Sequence, residues 1–154
     1  MSLAAVGQAQ TSRATGAQPA IHACNLLPAN EVKRLIGLPD PLNLYTTLPP
    51  EEQAAGRGSS CNYPNVHVQI DPFDWSTIDA LRAKTPTEYE SIPAIGDVAY
   101  LRANKKSSVE FAELYARIGT HVLTIQLDVP QGKTTAAVKS GIVALAQAYA
   151  SKLR

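Results

Sequence analysis

No run of about 18 apolar residues occurs in this chain of 154 residues, so nothing in it reads as a membrane-spanning helix. Charge of one sign is missing as well. Fourteen basic and 13 acidic residues leave a formal net charge of +1. That balance gives no electrostatic reason to expect nucleic acid or an anionic membrane as a partner. Cysteine and histidine are scarce, at two and three residues, which excludes a disulfide-dense scaffold and leaves little for a metal centre. What is present is a hydrophobic content of 45%, enough for one core in a chain the size of one domain.

Residues 1–20 are rich in Ala, Gln, Gly, Ser and Thr and carry one charge, Arg13. They lack the apolar core of a signal peptide and the periodicity of a packed element. They read as a flexible tether left after export of a precursor that carried a signal peptide, with Met1-Ser2-Leu3 an appended start. A single domain then occupies 21–154. Ile21-His22-Ala23-Cys24 is no lipobox, because no apolar stretch or basic start precedes it. A lipid anchor is therefore not expected.

The two cysteines allow either buried thiols or a bridge. Their settings favour a bridge: Cys24 precedes a helix start, and Cys61 follows the Gly56-Arg57-Gly58-Ser59-Ser60 loop at a strand edge. Such a link would pin the Pro- and Gly-rich segment 38–60.

Pro28, Glu31 and the stripe Val32, Leu35, Ile36 predict a short helix over about 28–36, stopped by Gly37. Segment 38–60 reads as a long irregular excursion, with Tyr45 and Leu48 as its anchors. Val66, Val68 and Ile70 alternate with polar residues as in a half-buried strand. A short strand is expected around Cys61. Ser76 with Asp79 opens a helix that ends before Pro86, with Ile78 and Leu81 on its inner stripe. Val98–Leu101 reads as a short strand and Lys105-Lys106-Ser107-Ser108 as a hairpin turn. Ala112, Leu114, Ala116 and Ile118, then Leu123, Ile125, Leu127 and Val129, flank Gly119-Thr120 as a β-hairpin. Thr134 or Thr135 caps a final helix whose stripe is Val138, Ile142, Leu145, Tyr149 and Leu153. The fold class is α+β: an antiparallel sheet of about five strands, helices mainly on one face, in the order α-β-β-α-β-β-β-α.

No motif for catalysis, cofactor or metal emerges. Gly132-Lys133-Thr134-Thr135 lacks the glycine five residues upstream that a phosphate-cradling loop needs; Leu127 stands there. His22, His67 and His121 share no ligand spacing, and His67 and Asp71 lie too far apart along one strand face to act as a pair. Ser59, Ser60, Ser107 and Ser108 lie in loops without a nucleophile elbow. Glu51-Glu52 and Glu88/Glu90 read as solvated acids. Phe111 and Tyr115 project from the sheet face opposite the core stripe. With Tyr45 and Leu48 they form a possible binding surface, either an open recognition platform or a face covered by 38–60.

Cys24-Asn25-Leu26-Leu27-Pro28, Glu31-Val32, Leu35-Ile36-Gly37, Cys61-Asn62-Tyr63 and Ile95-Gly96-Asp97-Val98-Ala99-Tyr100 together resemble actinobacterial cell-envelope lipoprotein domains of unknown function. The resemblance covers roughly 22–153. It implies an exported domain with Cys24 and Cys61 bridged, similar to extracellular sensor domains of bacterial kinases, and it carries no catalytic residues. The absent lipobox departs from that pattern, so a soluble periplasmic or secreted form is expected.

The expected function is a non-enzymatic binding or sensor-like module that meets an envelope protein, a polymer or a small ligand. A small inhibitor or immunity-type protein acting through 38–60 is the alternative, and a hydrolase with a dispersed site the third.

Overall fold

A computed structural model describes residues 20–37, 40, 43–106, 109–129 and 135–154. The tether expected over 1–20 lies almost wholly outside the described residues, as do Ser107, Ser108 and Gly132-Lys133-Thr134 of the sequence motifs.

Among the described residues the fold is α+β around one antiparallel sheet of seven strands. The strands are β1 Glu51–Ala55, β2 Gly58–Tyr63, β3 Val66–Ile70, β4 Tyr89–Ser91, β5 Val98–Lys106, β6 Val109–Ile118 and β7 His121–Val129. Across the sheet they run β1-β2-β3-β7-β6-β5-β4. The helices are α1 Ala23–Leu26, α2 Ala29–Ile36, α3 Leu44–Thr47, α4 Trp75–Lys84 and α5 Thr135–Leu153, with a 3-10 turn at Pro86–Glu88.

The β6–β7 hairpin forms where alternation predicts it. Ile118 pairs with His121, and Gly119 begins the turn at φ +58°, a left-handed conformation open to glycine. Its apolar stripe faces α5, where Ile142, Leu145 and Tyr149 are wholly buried and Val138 nearly so. Helix α2 then lies on α5. This inner face is the main core.

Four expectations need correction. The sheet has seven strands rather than about five, and short α1 and α3 stand beside α2, so the element order is only partly as expected. Segment 38–60 is no free excursion: it supplies α3, β1 and the start of β2. Strand β1 escapes a period search because Glu51-Glu52-Gln53-Ala54 are all exposed at the sheet edge, so no residue there need be apolar. The strand at Val98 runs on to Lys106, because it pairs along the whole of β6. Finally α4, which begins at Trp75 rather than Ser76, lies on the outer face. It buries Ile78 but leaves Leu81 40% exposed.

The disulfide joins Cys24 to Cys61, with Cα atoms 5.0 Å apart. Cys61 is central in β2 rather than at a strand edge, and what it holds is the N-terminal segment. Alternate residues of β2 point inward, and each takes part. Ser59 Oγ donates to the Ile21 carbonyl and accepts from the Ala23 amide, both at 2.8 Å. Cys61 bonds Cys24, and the Tyr63 hydroxyl donates to the Leu27 carbonyl at 3.0 Å. Glu52, opposite Cys61 on β1, accepts from the Cys24 amide at 3.2 Å and meets His22 Nδ1 at 2.8 Å. The bridge is one stitch in a seam.

Candidate functional site

The outer face of the sheet divides into a covered part and a polar part. Trp75 of α4 stacks on Tyr100 with ring centroids 5.9 Å apart, and the Arg82 guanidinium lies 4.5 Å from the Tyr100 ring centre. Ile78, Tyr100 and Tyr115 form a second, smaller core there. Tyr115 thus sits on the face where alternation places it, but it is buried, and α4 rather than 38–60 supplies its cover. Phe111, opposite Asp128 on β7, is half-buried on the same face. These two aromatics do not make an open platform.

Across the polar part the register lines up one residue from every strand: Glu51, Asn62, His67, Gln126, Glu113, Arg102 and Tyr89. Lateral side-chain neighbours of this kind interact directly. Glu113, only 7% exposed, accepts from Gln126 Nε2 at 2.8 Å and from the Tyr115 hydroxyl at 2.7 Å. Arg102 lies 3.6 Å from Glu113 and donates to Glu88 at 2.8 Å. Burial pushes the Tyr115 phenol well above its usual pKa, and the adjoining Glu113 carboxylate pushes it further. His67 Nδ1 hydrogen-bonds the Asn62 side-chain oxygen, and burial lowers the His67 pKa. Glu113 and Gln126 were not picked out from sequence. The available signal was an acid and an amide at outward positions of two adjacent central strands.

At the Asn62 end of this row, two hollows adjoin the turn between β2 and β3. One, of about 400 Å³, is lined by Leu44, Leu48, Pro49, Glu51, Asn62, Tyr63, Pro64 and Asn65. The other, of about 170 Å³, is lined by Asn62, Tyr63, Asn65, Val66, His67, Gln126 and Asp128. They share Asn62, Tyr63 and Asn65. Leu48 is 52% exposed at the rim of the larger hollow. Tyr45 is not on the surface: it is buried, and its hydroxyl donates to the Pro64 carbonyl, tying α3 to the turn. Of the four residues expected at a binding surface, Leu48 alone lines this cleft.

A third hollow, of about 410 Å³, lies beside the β6–β7 turn and includes Asp97, Thr120 and His121. Asp71 is not in line with His67 on β3. The strand ends at Ile70, Asp71 turns at φ +54°, and its carboxylate meets His121 Nδ1 at 2.7 Å and the Val122 amide at 2.8 Å. Ser59 works in the N-terminal seam and Ser60 is buried. The acids expected to be solvated, Glu51, Glu52, Glu88 and Glu90, are all exposed, and Glu88 and Glu90 also make surface ion pairs, with Arg102 and Lys139 respectively. Among the described residues, no group of three or more His, Cys, Asp or Glu side chains is placed to hold a metal ion. Nor is any described helix long and apolar enough to cross a membrane.

Searches against protein-family models, curated proteins and solved structures found no match to this chain.

Proposed function

We propose that the chain is an exported bacterial binding module of the cell envelope that holds a small ligand in the cleft made by the two adjacent hollows beside the β2–β3 turn and does no chemistry on it. The carrying observation is that cleft. Its larger part falls in the size range of small-molecule sites, its walls are mainly apolar, and a few amides and one imidazole converge at its polar end. The Cys24–Cys61 bridge supports an oxidising compartment, periplasmic or secreted. The resemblance to envelope lipoprotein domains points the same way.

Amide chemical-shift mapping against a library of small amphiphiles and envelope saccharides tests the site. Shifts should gather at Leu48, Asn62, Asn65 and His67, and Leu48→Arg should abolish them. Shifts that gather elsewhere and survive Leu48→Arg would sink the assignment. Thiol labelling of freshly purified, unreduced protein tests the compartment. No reactive thiol is expected, and two would count against export.

The hydrolase reading rests on the Asp71–His121 pair beside the third hollow, where a carboxylate orients an imidazole. Turnover of a nitrophenyl ester, lost in His121→Ala, would favour it over the binding module. An inhibitor role has narrower footing. Residues 51–55 and 58–60 lie within the sheet, which leaves the stretch around exposed Leu48 and the Gly56-Arg57 turn to reach a target.

A further inference from the structure

The cleft of two adjacent hollows has a chemical polarity that narrows what it can hold. Its larger compartment is walled by Leu44, Leu48, Pro49 and Pro64. Leu48 is the more exposed of the two large apolar side chains that stand out among the described residues. Apolar surface gathered around a hollow and open to water favours an apolar occupant, at roughly 25 cal/mol per Å² removed from water.

The polar compartment carries the opposite signature. Carboxylates flank the shared Asn62 and Asn65 on both sides: Glu51 in the larger hollow and Asp128 in the smaller, both exposed. No Lys or Arg lines either hollow among the described residues. His67 is the one basic side chain in the lining. Its Nδ1 is engaged by Asn62, and burial disfavours its charged form. An anionic head group would therefore meet two negative charges with no counter-charge from this lining. A cationic head would meet complementary charge and the amide oxygens of Asn62, Asn65 and Gln126.

Resting on the binding-module reading, we propose that the cleft takes a free small amphiphile with a cationic head. Its apolar chain lies along Leu44, Leu48, Pro49 and Pro64, and its ammonium-type group faces Glu51 and Asp128.

Three probes of one chain length and different charge test this: octylammonium, octanol and octanoate. Each is titrated below its aggregation concentration into the full chain at low ionic strength, where surface charges are least screened. Octylammonium should shift the amides of Leu48, Asn62 and Asn65 and bind about threefold or more tighter than octanol, as befits partly exposed ion pairs. Octanoate should bind weakest. Glu51→Gln with Asp128→Asn should bring octylammonium to the octanol level and leave octanol itself unchanged. Leu48→Ala should weaken all three. If the probes bind with equal affinity, or octanoate binds as tightly as octylammonium, the charge preference is overturned while the ligand site stands. A ratio unmoved by the double substitution overturns it equally. If none of the three shifts these amides, the ligand site falls with it.

Discussion

Gly141 of α5 passes so close to Ile36 of α2 that a Cβ placed at 141 would lie 2.4 Å from the Ile36 carbonyl oxygen. The last residue of α2 therefore rests on bare backbone, and α2 packs on the helix that covers the inner face of the sheet. Through α2 this contact also steadies the N-terminal segment that β2 holds by its seam.

Gly141→Ala is therefore expected to destabilise, although alanine is the better helix former by about 1 kcal/mol. Backbone cannot retreat as a flexible side chain can, and overpacking of this kind costs about 1–3 kcal/mol. The expected net loss is up to about 2 kcal/mol in urea unfolding. Ser140→Ala, one residue away and exposed, should be neutral or gain a few tenths. Equal behaviour of the two variants would refute the close approach.

The bridge closes a separation of 37 residues, for which the loop-entropy relation gives about 3.8 kcal/mol. Cys24→Ala with Cys61→Ala should lower the unfolding free energy by up to that amount, read as a lower urea midpoint. The fold should survive in the absence of denaturant, because Ser59, Tyr63 and Glu52 still hold the N-terminal segment. An unchanged midpoint would mean that the link constrains little in the unfolded chain.

Stability should fall at both ends of the pH scale. Burial pushes the Tyr149 phenol far above its ordinary value near 10, and Tyr45 and Tyr115 shift the same way. Above about pH 10 the unfolded chain releases protons that the folded chain retains, so stability is lost as pH rises toward the folded values. Tyrosinate absorbance should rise together with loss of circular dichroism. Full ionisation of all six tyrosines with the dichroism intact would contradict this. His67 acts at the other end. Its lowered pKa means the unfolded chain takes up a proton below about 6.5 that the folded ring resists, so stability declines as pH falls through that value. His67→Gln should flatten the decline between about pH 6.5 and 5.

Much of the inner face was legible in the residues themselves. The stripes of β6 and β7 and of α5 recur at the periods of strand and helix because one side of each must be apolar, and the structure buries those stripes. The candidate site was largely illegible. Asn62, His67, Gln126 and Glu113 come from four strands, and only the register sets them in a row. Leu48 could be marked as an apolar residue in a proline-rich stretch, but not as the rim of a hollow.

The sequence by itself determined an α+β chain with a central hairpin, a long closing helix and two cysteines suitably set for a bridge. Local periodicity and turn chemistry suffice for those. The tertiary structure alone decided that 38–60 would yield α3 and edge strand β1, that α4 would cover Tyr115, and that the disulfide would fasten residues 21–27 to β2. An exposed edge strand buries nothing and so carries no period. Which face a helix covers, and what a crosslink restrains, depend on residues far away in the chain.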